Sequence, residues 1–247
     1  MSAPSAPRTI RSSAVLVRSV DYGEADRIVT LLTEHTGLVS LMARSARKSQ
    51  KRFAGALEPF GLIEAELAIG RGELGRLASA RLVRGFPQLL TSLLAMGEAG
   101  RALELVRDAT PPRESDPRLL ETVVALFEML AEGSSPRASR VAFEVRYLAL
   151  LGLTPRVDAC ARCGRTPEPA QSALFDGAVG AILCRACGGG PIRLPASTRG
   201  LMSTASGAGW SETIPLWNES DTNAARLALD AFVERHVRAS GARKTRS

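Results

Sequence analysis

The sequence predicts an α+β protein in three parts: an N-terminal five-stranded barrel, an all-helical body, and a small cysteine lobe inserted into that body. Three observations carry this. Short β-prone runs separated by turn residues fill the first 86 positions, and apolar residues recur at helical spacing from Leu89 onward. Four cysteines then fall into two Cys-x-x-Cys pairs. The expected boundaries are 1–86 for the barrel, 87–157 and 193–247 for the helical body, and 158–192 for the lobe.

The barrel strands are Ala14–Val17, Ile28–Leu32, Leu38–Met42, Leu62–Leu67 and Leu77–Val83. Asp21-Tyr22-Gly23, His35-Thr36-Gly37 and Gly70-Arg71-Gly72 supply turn residues between them. No long helical pattern separates the runs. A parallel sheet, which needs crossover helices, is therefore disfavoured against a small closed barrel of the OB-fold kind.

Beyond Pro87, Leu89, Leu90, Leu93, Leu94, Ala102, Leu103 and Val106 mark one helical face, ended by Pro111-Pro112. Asp116-Pro117 and Ser135-Pro136 each pair an N-cap residue with a proline suited to the first helical position. They start helices running to Gly133 and to Leu151, the second closed by Gly152. A last helix is expected from about Thr222 to Val237, with a basic tail after Ser240. These apolar stripes read as core.

Cys160 and Cys163 form one knuckle, and Cys184 and Cys187, after 20 intervening residues, form the other. Four thiolates are the number that a closed tetrahedral zinc site requires. Such a site leaves no position for a reactive water, so the zinc is expected to be structural. Gly164 and Gly188 follow the knuckles and allow the backbone to turn its amides toward sulfur. Arg162, Arg165 and Arg185 offset the negative charge of a four-thiolate centre. Dithiol redox chemistry, an iron–sulfur cluster and an empty site remain open at this point.

Lysine and arginine outnumber acids by 32 to 25, a formal charge of +7 that suits an anionic partner. The excess is concentrated. No acid lies between Glu34 and Glu58, whereas Arg44, Arg47, Lys48, Lys51 and Arg52 fall within nine residues of a barrel loop. Phosphate contact and a plain solvated turn both fit that run. Arg11 and Arg18 are weaker candidates for DNA contact. Tyr22, Phe53 and Phe60 are the aromatic platforms available in the first 80 residues. Binding is therefore expected to rest mainly on phosphates and to tolerate many sequences.

Other chemistry is thin. A phosphate loop, a nucleophile elbow and the His-x-Glu of the zinc deaminases are absent, and there are only two histidines. No apolar run approaches the ~18 residues of a membrane span. The expectation is a non-enzymatic, cytoplasmic protein, where cysteines more often hold metal than form disulfides.

Several segments, in order, resemble the bacterial RecO recombination mediator family. They are Ala14-Val15-Leu16-Val17-Arg18, Asp21-Tyr22-Gly23-Glu24-Ala25-Asp26-Arg27, Leu32-Thr33 to Gly37, Leu57-Glu58-Pro59-Phe60 and Gly72-Glu73-Leu74-Gly75. Phe143-Glu144-Val145-Arg146 and Leu150-Leu151-Gly152-Leu153-Thr154-Pro155 then lead into the first knuckle, as in zinc-bearing members. One departure is Arg44-Ser45, where the family pattern has a lysine-glycine step.

The resemblance implies binding of single- and double-stranded DNA and annealing of complementary strands. It also implies loading of RecA with RecR, and often RecF, onto strands coated by single-stranded DNA-binding protein (SSB). The acidic, phenylalanine-ended tail of SSB is expected on the helical body. There the helix carrying Arg137, Arg140, Val141 and Arg146 offers cations and apolar surface, with Arg193 or Arg199 nearby. A zinc-ribbon adaptor acting through protein contacts is the alternative, and a Cys-x-x-Cys oxidoreductase a third reading.

Overall fold

A computed structural model describes residues 8–53, 55–70 and 72–239. The first seven residues, Arg71 of the Gly70-Arg71-Gly72 turn and the basic tail after Ser240 lie outside this set. Contacts divide the described residues into two compact units. One holds the chain up to Leu93 together with Thr110–Glu128; the other holds Leu94–Ala109 and the chain from Met129.

Strands β1 (Arg8–Tyr22), β2 (Asp26–Thr33), β3 (Gly37–Ala43), β4 (Gly61–Ile69) and β5 (Leu74–Gly85) close into a barrel in the order β1-β2-β3-β5-β4. β5-β4-β1-β2-β3 is one continuous antiparallel run, and a parallel pairing of β3 with β5 closes it. β1 is 15 residues long because it serves two partners: its first half pairs with β4 and its second with β2. A register shift between Leu16 and Arg18 provides the bend.

The alternation in β4 shows why these residues form a barrel wall. Ile63, Ala65 and Leu67 point into the core with Leu16, Val29, Leu31, Leu41 and Leu77, while Glu64 and Glu66 alternate outward. Each large aliphatic side chain so buried contributes about 1.5–3 kcal/mol. The short helix α1 (Gln50–Phe53) and the turn after it add Phe53, Ala56 and Leu57 to the same core.

Helix α3 (Pro117–Ala131) begins at the expected Asp116-Pro117 signal, with the Arg118 amide donating to Asp116 Oδ1 at 3.0 Å. Within the barrel unit its Phe127 meets Phe60 and Phe86 edge-on, at 5.6 and 5.7 Å between ring centres.

The second unit is built around α4 (Pro136–Leu150), with α2 (Leu93–Ala109), α5 (Ala196–Ala205) and α6 (Glu219–Val233). α4 is buried nearly all round, and Phe143 stacks on Tyr147 and meets Trp210 edge-on. Trp210 lies in a 3-10 segment, Trp210–Leu216, that sequence periodicity does not reveal. Two start signals act differently from expectation. Ser135 makes no side-chain cap bond, and α6 begins at Glu219 because the Asn218 carboxamide accepts from the Asp221 amide. The first helix of the body starts at Leu93; Pro87–Thr91 is a separate 3-10 turn.

Burial also corrects part of the tail-binding set. Arg140 is 4% exposed and lies between Glu98 and Glu144, with Nε 2.6 Å from Glu98 Oε2 and a second contact from its Nη1 to Glu144. Val141 is fully buried in core packing. Arg199 is buried and donates to the carbonyls of Val157 and Gln171. None of the three presents itself to a partner: Val141 is packed in the core, and the two buried guanidiniums stay with the groups that compensate them.

Candidate metal centre and nucleic-acid interface

The lobe following α4 contains a three-stranded sheet in the order β7 (Ala181–Leu183), β6 (Ala173–Asp176), β8 (Ile192–Leu194). The first knuckle is fixed to it by the Ala161 amide, which donates to the Ile182 carbonyl at 3.0 Å. The second knuckle follows β7 directly as a 3-10 turn, Arg185–Cys187. Gly164 and Gly188 sit at φ of 73° and 105°, the left-handed region that side chains resist, and this lets each knuckle turn back on itself.

The four sulfurs lie within 4.8 Å of one another and could hold a metal ion. Cys163 Sγ and Cys184 Sγ are 3.8 Å apart. That matches the edge of a tetrahedron with metal–sulfur bonds of ~2.3 Å, which is about 3.8 Å. Backbone amides complete the setting: the Cys184 N–H donates to Cys160 Sγ, and Arg162 ties the knuckles together through the Cys187 carbonyl. Amides of Cys184 and Cys163 draw the Cys160 thiol down to about 6, whereas hydrogen bonding with Cys184 and Cys163 pushes Cys187 up to about 12. An open cleft beside the sulfurs is lined by Arg165, Arg185 and Arg193 among others.

On the barrel unit, Arg44, Arg47, Lys48, Lys51 and Arg52 are all exposed, as are Arg11 and Arg18 on β1. The loop that carries the five is not a free turn. The Ser45 amide donates to Asp26 Oδ1 at 2.7 Å and the Arg47 amide to the Ala25 carbonyl at 3.0 Å, strapping the loop to the β1–β2 hairpin. Asp21 lies 3.1 Å from Arg27 and 3.8 Å from Arg47, adding charge to the strap. Ser45 adopts φ of 54°, a left-handed conformation that glycine takes without strain and that a side chain resists.

The cations do not form one cluster. Lys51 and Arg52 share a cleft of about 330 Å³ with Arg11 and with Arg81, which the sequence reading passed over because a lone arginine in a strand carries no motif. Glu64 and Glu66 line the same cleft, and Arg81 is committed to Glu64 at 2.8 Å. Arg52 also donates to the Arg44 carbonyl, whereas Arg47 turns toward Asp21. Arg18 stands apart on β1, opposite Thr30. Of the tail-binding candidates, Arg137 and Arg193 are exposed, and the half-buried Arg146 donates to the Ser206 carbonyl at 2.9 Å.

A closed five-stranded barrel with a strapped cationic loop, followed by a helical unit carrying a four-thiolate lobe, defines the class of protein. The chain matches the family model described as Recombination protein O N terminal over residues 8–86, and the one described as Recombination protein O C terminal over 90–246. It is 40% identical to the DNA repair protein RecO of Anaeromyxobacter sp. (strain K) over 234 residues, covering 92% of this chain and 91% of that one. It is 41% identical to the protein of the same name from Geobacter sulfurreducens over 200 residues, 81% of this chain and 82% of that one. The chain belongs to the RecO family of DNA repair proteins. No helix among the described residues is long and apolar enough to cross a membrane.

Proposed function

We propose that this chain binds single- and double-stranded DNA through the cationic loop of its barrel and anneals complementary strands. In this reading it works in the cytoplasm, at the nucleoid, with RecR and RecF to load RecA onto SSB-coated DNA. Membership of the RecO family supports the overall role. The observation that carries the DNA contact is the loop itself, with five exposed cations on a backbone held in place before any ligand arrives. Pre-ordered cations lose less entropy on meeting phosphates than a mobile run would.

The protein acts as a mediator with no catalytic step. Cys160, Cys163, Cys184 and Cys187 would hold one zinc ion, whose contribution is to close the lobe and fix its fold. Four sulfurs all within 4.8 Å of one another favour a single ion over a polynuclear iron–sulfur cluster, which would hold them farther apart. The acidic tail of SSB docks on the helical unit, where Arg137, Arg146 and Arg193 remain the cations able to meet it.

Replacing Arg47 and Lys48 together with alanine tests the DNA reading. Affinity should fall for all sequences alike, and the slope of log K against log salt should shrink by about 0.9 per lost contact on duplex and about 0.7 on single strands. Unchanged affinity and slope would make the loop a solvated turn. Failure of the wild-type protein to bind DNA in a salt-dependent way would favour an adaptor that works through protein contacts.

A further inference from the structure

The aromatic set is seven phenylalanines, two tryptophans and two tyrosines. All but one are buried, none of these more than 8% exposed; Tyr22 is 55% exposed. Phe53 and Phe60, the other platforms expected near the loop, belong to the core. Tyr22 ends β1 in the stretch Arg18–Tyr22, all exposed, where the β1–β2 hairpin leaves the barrel core.

The strand register places its surroundings. Val29 and Leu41 face the core, so their strand neighbours Ile28 and Met42 face outward, directly paired with each other. Val20 is paired with Ile28 and Tyr22 with Asp26, which puts Val20 and Tyr22 on that same outer face. Arg18 lies two residues before Val20 and shares it. The result is an outer face on which Tyr22, Val20, Ile28 and Met42 form an apolar shelf, with Arg18 at one end and, beside Tyr22, the Asp26 carboxylate, which accepts from the Ser45 amide. At the other end stands the cationic loop, tied by its backbone to Ala25 and by Ser45 to Asp26 of this same hairpin. A lone exposed tyrosine needs no explanation. A tyrosine that is the one exposed aromatic, on an apolar shelf between cations, has the form of a base platform flanked by phosphate contacts.

We infer that Tyr22 is the base-stacking residue of this protein, receiving an unpaired base of single-stranded DNA while Arg18 and the loop hold the flanking phosphates. The inference rests on the DNA reading above and deepens it: phosphate contacts serve single strands and duplex alike, whereas Tyr22 serves only strands whose bases are free. Stacking uses the ring, so the hydroxyl is dispensable.

The test uses the full chain with zinc retained. Wild type, Tyr22→Ala, Tyr22→Phe and the Arg47→Ala/Lys48→Ala double variant are titrated with a labelled single strand and with its duplex across a salt series. Tyr22→Ala should weaken single-strand binding roughly five- to hundredfold. It should leave duplex affinity within about twofold and the salt slope unchanged, since no phosphate contact is lost. Tyr22→Phe should bind as wild type, and an oligonucleotide carrying a photoreactive iodouracil should crosslink to Tyr22. Wild-type single-strand affinity in Tyr22→Ala, alongside a loss in the loop variant, overturns the stacking role and leaves the DNA reading intact. Equal losses for single strand and duplex in Tyr22→Ala, with Tyr22→Phe normal, also overturn it, because the ring then supports the hairpin instead. Absence of salt-dependent DNA binding by the wild type overturns both.

Discussion

Arg140→Met removes the guanidinium that stands between Glu98 and Glu144 inside the helical unit. All three groups are nearly dry, with side chains 5–7% exposed. Glu98 keeps Arg101, 2.8 Å away, so the uncompensated charge falls mainly on Glu144. The Nε of Arg140 approaches Glu98 Oε2 to 2.6 Å without aiming its N–H there, so this contact works as charge more than as a hydrogen bond. Losing one member of such a buried set costs about 3–5 kcal/mol. For a chain of this size that lowers the unfolding temperature by roughly 6–20 °C.

The loss depends on pH in a definite direction. Burial pushes the Glu144 carboxyl up from 4.5 to about 7, even against the pull of Arg140. Between those values the folded protein holds a proton that the unfolded chain has released, so stability from this group falls as pH rises through the window. At about 1.4 kcal/mol per pH unit, the rise corresponds to about 3 kcal/mol. In Arg140→Met the Glu144 carboxyl is pushed up further, so as pH rises wild type and variant lose stability in parallel below about pH 7 and diverge above it. The penalty should be about 1.4 kcal/mol larger at about pH 8 than at about pH 5.5. Unfolding followed by circular dichroism at both pH values measures this. Adding Glu144→Leu should restore most of the loss, since an apolar replacement of a buried ion pair is often neutral. A penalty under about 1 kcal/mol at the higher pH, or one that is equal at both, would refute the account.

Two further outcomes follow from the same structure. Metal analysis should find one zinc per chain, and Cys163→Ser should lose it together with the fold of β6–β8 while the barrel stays intact; iron, or four freely reactive thiols in fresh native protein, would count against this. Ser45→Gly should stabilise the barrel by about 1 kcal/mol, because glycine meets the φ of 54° without steric cost, and a lowered unfolding temperature would contradict it.

The barrel, the helical body and the cysteine centre were legible in the sequence because each rests on local chemistry. Strand alternation such as Ile63-Glu64-Ala65-Glu66-Leu67 reports its buried face directly, and Asp116-Pro117 marks a helix start through contacts within its own first turn. Two Cys-x-x-Cys knuckles carry their ligand geometry in their spacing. The three short strands of the lobe and the Trp210–Leu216 segment were not legible, since runs of 3–7 residues give no period to read. Arg137 and Arg140 look alike in sequence, yet one is exposed and the other ion-paired in the core, because burial of a charge is decided by carboxylates on another helix. Tyr22, Phe53 and Phe60 were equally good platforms on paper. Only the closed barrel separates them, drawing both phenylalanines into packing while the hairpin carries Tyr22 past the last residues that could cover it.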